Sequence, residues 1–239
     1  MRAAVRPVTL AGEQALPVEP ALAALFPEGL RRGEVVAVEG PAAVSCALAL
    51  AAGPSAAGSW TLVAGVGSGA SPVVGLGVGA AVGLGVVPER LVVLTPGRLD
   101  AAAWSAVLTA AVDGFDVVVV RPPAALSPGL WRRLVPRLRD RGGVLVGVDL
   151  PTGWERSSTV RTGPVDWIGL GAGHGHLVAR RVVVERVGRG AASRSRCDTV
   201  LLPGHLGRAT AVEPASSAEV AAAGAGSPGV IELPARRVG

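Results

Sequence analysis

One stretch of this sequence has residue types and spacing that approach a site for phosphate chemistry. Gly40, Pro41, Ala42, Ala43, Val44, Ser45, Cys46 and Ala47 follow a strand-like run at residues 34–38 and lead into a helix-like run. A phosphate-cradling loop of the pattern G-x-x-x-x-G-K-[ST] sits between just such a strand and helix. Its backbone N–H groups and lysine hold phosphates, and its hydroxyl holds magnesium. Here Gly40 supplies the first glycine, but Ser45 stands at the second, Cys46 at the lysine and Ala47 at the hydroxyl. Cys46, at a helix start, reads either as a thiol of lowered pKa or as a small buried residue closing an empty loop, and the second reading is preferred.

Composition accounts for part of this. The chain has no lysine, asparagine or tyrosine and is rich in Ala, Gly, Val, Arg and Pro, the signature of a GC-rich genome. Such a bias puts arginine on surfaces in place of lysine. It does not explain Cys46, because arginine would be the substitute and a planar guanidinium replaces a compact ammonium poorly at a phosphate. At 239 residues and 49% hydrophobic, the chain suits one α/β domain with a tail. The net charge of +5 fits scattered surface arginine and permits contact with nucleic acid or an acidic partner. Two cysteines without metal spacing argue for a reducing compartment. His174, His176 and His205 form no ligand pattern, so no metal or other cofactor is expected. No leader-like apolar run follows the first six residues, and a cytoplasmic protein is expected. Gly75, Gly79 and Gly83 have the spacing of packed membrane helices, but only about 15 residues separate Pro72 from Pro88, short of the ~20 that span a bilayer. A buried helix packed closely on a sheet is the reading taken, with no membrane contact.

The elements that must position these residues alternate. Continuous apolar runs at 34–38, 61–64, 91–94, 117–120 and 144–148 predict parallel strands covered on both faces. Helix-length segments separate them at 42–52, 72–85, 100–112 and 128–141. Asp100 and Ser127 stand at N-cap positions, and Pro128 suits a first turn. In the last helix Leu130, Trp131, Leu134 and Leu138 face the sheet, and Arg132, Arg133, Arg137 and Arg139 stay wet. From residue 165 the pattern changes to an antiparallel hairpin, 165–170 and 177–187, followed by a basic loop with Arg189, Arg194 and Arg196. A short hairpin at 199–202 and 208–212 comes next. After Glu213 the composition is disorder-like. The prediction is a three-layer α/β fold whose mainly parallel central sheet is extended by antiparallel C-terminal strands. One domain spans 1–213, with 1–29 as a lead-in, and a tail spans 214–239.

Ligands in such sheets bind at the carboxyl ends of the strands. There the sequence resembles the RecA-like recombinase core over roughly residues 25–187. Leu30, Arg31, Arg32, Gly33, Glu34, Val35 and Val36 resemble the entry to its first strand, and Gly40-Pro41 the opening of its loop. Leu84, Gly85 and Val86 with Leu91 resemble the turn after its second helix. Asp116 to Val120, then Ala124, Ala125 and Leu126, resemble its Walker B strand, and the closing hairpin the end of the core. The resemblance also marks what is missing. Cys46 and Ala47 replace the lysine and hydroxyl, Arg121 replaces the Walker B aspartate, and Val66 or Gly67 replaces the general-base glutamate. A fixed cation at Arg121 repels magnesium by several kcal/mol even with generous screening, roughly as Coulomb's law gives at short range. ATP hydrolysis is therefore not expected, and the chain is read as a non-enzyme. A partly buried Arg121 needs a counter-charge, and Asp149, at the end of the neighbouring strand, predicts an Arg121–Asp149 ion pair in the former metal site.

The segment 151–163, read as a short loop, contains Trp154, Arg156 and Arg161, which suit base stacking and phosphate contact; a Trp capping the sheet is the equal alternative. Lost nucleotide chemistry, small size, GC-rich composition and a basic C-terminal extension make the chain resemble the ImuA-prime (ImuA-like) proteins of actinobacteria. That resemblance implies an accessory factor of a damage-induced mutagenesis complex, nucleoid-associated when DNA is damaged. It would work with ImuB, a catalytically inactive Y-family polymerase homologue, and through it with an error-prone C-family polymerase. Arg189, Arg194, Arg196, Leu201, Leu202, Arg236 and Arg237 are the candidate partner contacts. Three other readings stand beside this one: a nucleotide-binding switch that does not hydrolyse, a single-stranded DNA-binding module with weak DNA contact, and an SOS-type cell-division inhibitor.

Overall fold

The structure, a computed structural model, describes residues 15–66, 77–94, 99–123, 126–170, 174–188 and 195–212. The first strand, β1 (Val35–Glu39), leads into α1 (Ala43–Ala56), and β2 (Thr61–Ala64) is followed by the short α2 (Val78–Gly83). Next come β3 (Leu91–Leu94), α3 (Ala101–Gly114), β4 (Val117–Val120), α4 (Pro128–Arg141) and β5 (Val144–Val148). Four strands close the described chain: β6 (Ser158–Leu170), β7 (Gly175–Gly188), β8 (Arg196–Leu201) and β9 (Thr210–Ala211). They form one sheet in the order β3-β2-β4-β5-β1-β6-β7-β8-β9. Strands β1 to β6 pair in parallel, and β7 to β9 add on antiparallel. The predicted three-layer α/β fold is the one observed.

Alternation along the buried strands feeds two cores. Val36, Val38, Val63, Val117, Val119, Val144 and Val146 face α1. Val35, Ala37, Leu62, Val118, Val120 and Leu145 face α3 and α4. The five parallel runs read from sequence match the strands to within one residue. Four are buried as expected of strands covered on both sides, whereas β3, at the sheet edge, is only partly covered and leaves Val92 exposed. Caps behave as predicted: Ala103 N–H donates to Asp100 and Leu130 N–H to Ser127. Leu130, Trp131, Leu134 and Leu138 are buried and the α4 arginines are exposed. Arg137 and Arg141 share Asp113, and Arg139 pairs with Glu155.

Three expectations change. First, α1 runs four residues past 52, through Pro54, and is buried on nearly every side. The sheet covers one side and the Leu16–Leu30 segment the other. Gly53 lies so close to that segment that a Cβ would sit 2.6 Å from the Pro17 carbonyl oxygen. Second, α2 has only six residues, with Ala81 buried and Val78 and Val82 exposed. A Cβ on Gly79 or Gly83 meets nothing within 4 Å, so neither glycine is required by a neighbour packed on its own side-chain position. Third, β6 starts at Ser158, so half of the expected loop 151–163 is strand. The edge of β1 claims it, pairing Val36 to Glu39 with Ser158 to Arg161. Tertiary pairing of this kind overrides a polar local sequence. The start of the expected second helix at 72, position Gly67, the pair Ala124 and Ala125, the arginines Arg189, Arg194, Arg236 and Arg237, and the tail 214–239 lie outside the described residues. Among the described residues no helix is long and apolar enough to cross a membrane.

Candidate functional site

The parallel order brings together the carboxyl ends of β1, β2, β4 and β5, with Arg161 and Thr162 of β6 beside the end of β1. After β1 the chain turns at Gly40, with φ +102°. Ala43 N–H donates to the Gly40 carbonyl at 3.1 Å and Cys46 N–H to that of Ala42 at 2.9 Å. Helix α1 therefore begins at Ala43, and Ser45, Cys46 and Ala47 lie inside it. The loop that remains, Gly40 to Ala42, is lined by β6. Thr162 Oγ1 accepts from Ala42 N–H and donates to the Glu39 carbonyl, both at 3.0 Å. A Cβ on Gly40 would sit 2.2 Å from the Thr162 carbonyl oxygen.

Cys46 is fully buried, and burial pushes its thiol up to about 12. The reading of a small buried residue holds, and a thiolate at neutral pH does not arise. Ala47 is buried beside it, and Val66, after β2, is buried as well. Ser45 faces outward and accepts a hydrogen bond from Arg180 Nη2 of β7 at 2.8 Å.

At the end of β4, Arg121 N–H donates to the Ala64 carbonyl of β2 at 3.0 Å. At the end of β5, Asp149 N–H donates to the Val38 carbonyl of β1 at 2.9 Å. These bonds fix the two side chains next to each other, and Arg121 Nη2 lies 2.7 Å from Asp149 Oδ2. Asp149 adopts φ +50°, a conformation that Asp tolerates better than most residues. The side chains are 34% and 48% exposed, so the pair stabilises by only about 0.2–1 kcal/mol. Its consequence is chemical: it places a cation beside the nearest carboxylate and uses that carboxylate up. Among the described residues no group of three or more His, Cys, Asp or Glu could hold a metal ion.

The remaining candidates divide. Trp154 is buried, with its ring centroid 4.4 Å from that of Trp131, whose Nε1–H donates to the Glu155 carbonyl. It caps the α3–α4 core, and its ring is not free to stack on a base. Arg156 donates to the Trp154 and Pro151 carbonyls and fastens this loop. Arg161 is exposed and pairs with Glu39 at 2.9 Å. The expected nucleic-acid set is thus not one surface. Of the partner candidates, Arg196 is exposed at the start of β8 and Leu201 is half-buried. Leu202 is fully buried in the α1 core, which removes it from any partner surface.

Sequence reasoning missed Thr162 and Arg180. Thr162 matters only because β6 lies beside β1, which no local signal shows. Arg180 had a signal: in the alternation of β7 it falls on the inward side with Val182 and Val184, where an arginine is unexpected. Burial lowers its pKa from the ordinary value.

Comparison with known proteins agrees with this architecture. The MT3502 N-terminal domain family matches residues 24–156, more than half of the chain. The chain belongs to that family. The matched stretch runs from the segment before β1 through Trp154, and so contains the β1 loop and both members of the Arg121–Asp149 pair. Among solved structures, the crystal structure of the RadB recombinase matches with a TM-score of 0.57 and 15% identity, over 81% of this chain and 97% of that one. At that identity the likeness shows the fold, which is RecA-like. No curated protein matches the sequence.

Proposed function

We propose that this chain is a non-catalytic accessory protein of a damage-induced translesion-synthesis complex. It acts by protein–protein contact with an ImuB-like, inactive Y-family polymerase homologue and through it with an error-prone C-family polymerase. The observation that carries the non-catalytic half is the Arg121–Asp149 ion pair at the ends of β4 and β5. An arginine occupies the position where the RecA-like pattern has its metal-binding aspartate, and it engages the adjacent carboxylate. Cys46 and Ala47, both buried, stand at the lysine and hydroxyl positions of the same pattern and point the same way. The partner rests on the resemblance of the sequence to ImuA-prime proteins.

The test is co-expression of the full chain with the inactive Y-family homologue encoded in the same genome, followed by affinity capture. Co-purification is expected, together with no magnesium-dependent ATP turnover by the complex. A chain ending at Val212 separates tail from core: lost capture assigns the contact to the tail, and retained capture to the core. Truncation earlier, after Gly188, would remove Val200 and Leu202 from the α1 core and confound the result. Absence of a complex sinks the partner, and ATP turnover by the complex sinks the non-catalytic role.

A further inference from the structure

The loop after β1 retains the outline of a phosphate cradle, yet the chain supplies its own groups to it. Of the first three residues after Gly40, Pro41 has no N–H, Ala42 N–H is taken by Thr162 Oγ1 and Ala43 N–H by the Gly40 carbonyl. Arg180 reaches the first turn of α1, just after this loop, from β7. Its Nη2 donates to Ser45 Oγ at 2.8 Å and its Nε to the Leu202 carbonyl at 2.7 Å, and its guanidinium lies 5.2 Å from the centroid of the Trp167 ring. Its backbone is bonded on both sides to the end of β8: Arg180 N–H donates to Pro203 at 2.9 Å, and Leu202 N–H donates to Arg180 at 2.7 Å. One side chain thus joins the first turn of α1, the β6–β7 hairpin and the exit from β8.

We propose that Thr162 and Arg180 are internal ligands of the loop from Gly40 to Ala42 and of the first turn of α1, latching the β6–β7 hairpin onto α1 so that its placement requires no nucleotide. In a phosphate loop, backbone N–H groups and a hydroxyl converge on an external oxyanion. Here the Thr162 hydroxyl of β6 accepts from the Ala42 N–H, and the Arg180 guanidinium of β7 donates to the Ser45 hydroxyl of α1. The polarity of the loop is matched by groups that cannot dissociate. The hairpin beyond Thr162 has no β1 neighbour, since β1 pairs with β6 only as far as Arg161, and β8 pairs with β7 no nearer the turn than Arg181. From there to the turn the hairpin is a two-stranded ribbon, which is marginal by itself, so its orientation depends on ties at its base of the kind that Arg180 makes.

The latch is independent of the partner proposed above and is tested without it. Hydrogen exchange of the full chain is measured with and without millimolar magnesium-ATP, in the wild type, Arg180→Ala and Ser45→Ala. Wild-type exchange at 40–47 and in the hairpin is expected to be the same with and without ATP. Arg180→Ala is expected to raise exchange at 163–170 and 175–180 by about tenfold, the scale of one lost hydrogen bond to a charged group. Exchange in β1, β4 and β5 should stay unchanged. If Arg180→Ala loosens those strands too, Ser45→Ala decides: faster hairpin exchange supports the latch, unchanged exchange overturns it. An ATP footprint on 40–47 in the wild type also overturns it, because the loop would then take an external ligand.

Discussion

Removing the carboxylate of Glu34 should destabilise this fold more than most single changes. Glu34 begins the approach to β1 and is 5% exposed. Its Oε1 accepts from Arg186 Nη2 at 3.3 Å and from Ser158 Oγ at 3.1 Å, and its Oε2 from Arg31 N–H at 3.3 Å. Arg186, its side chain 14% exposed, lies 4.2 Å from the centroid of the Phe26 ring, and its Nη1 donates to the Leu25 carbonyl. Burial lowers the Arg186 pKa, and Glu34 opposes that shift. In Glu34→Ala the guanidinium stays buried and keeps only Leu25 and Phe26. Breaking a buried pair from one side costs about 3–5 kcal/mol, and the surviving Leu25 contact puts this case near the lower figure, about 3. With a urea slope of about 2 kcal/mol per M, the midpoint falls by about 1.5 M at unchanged slope. The double variant Glu34→Gln/Arg186→Met, which removes both charges, should recover most of that loss. A Glu34→Ala midpoint within about 0.25 M of the wild type, some 0.5 kcal/mol, would refute the premise that this pair is effectively buried.

Four further outcomes are expected. Arg121→Ala should cost less than about 1 kcal/mol, and the difference should shrink in 1 M salt, as for any half-exposed ion pair; urea melts at two ionic strengths measure it. A thiol reagent at pH 8 should label Cys197 in the folded protein and Cys46 only on unfolding, since one is exposed and the other buried. The fold favours the neutral Cys46 thiol, so its contribution to stability is complete below the ordinary value of 9.0 and falls as the pH rises from there toward about 12, which alkaline melts would follow. Gly40→Ala, at φ +102° against the Thr162 carbonyl, should cost about 2 kcal/mol or more. Gly79→Ala in α2, facing open space, should instead stabilise by up to about 1 kcal/mol, and paired thermal melts compare the two.

The parts of the fold that were legible in sequence are those whose burial is dictated by short-range pattern. Val117 to Val120 and Val144 to Val148 could only be strands covered on both faces, and Ser127-Pro128 with Leu130, Trp131, Leu134 and Leu138 could only be a capped amphipathic helix. Asp149 was identifiable as the partner of Arg121 because both end adjacent parallel strands. The parts that were not legible depend on partners distant in sequence. Ser158 to Thr162 is polar and loop-like until the free edge of β1 is offered to it. Trp154 flanked by Glu155 and Arg156 resembles a stacking platform until Trp131 is seen beneath it. Leu202 follows the exposed start of β8, yet the antiparallel extension turns its side chain into the α1 core.

The glycines at the strand ends show why a motif can outlast its ligand. In a phosphate loop a glycine permits close approach of the backbone to the ligand, and its retention invites the inference that the ligand is retained too. Here each close approach has an internal cause. A Cβ on Gly40 meets Thr162, one on Gly65 would lie 2.4 Å from the Arg121 carbonyl oxygen, and one on Gly147 would lie 2.4 Å from Leu150 Cδ2. Gly40 and Gly65 also have φ of +102° and +69°, which a side chain tolerates poorly. The sheet alone would therefore hold these glycines in place after the side chains that do chemistry had changed. Cys46, Ala47 and Arg121 carry no such constraint from the backbone. The side chains, not the glycines, report whether the site still takes a nucleotide, and here they point the same way as the Thr162 and Arg180 contacts.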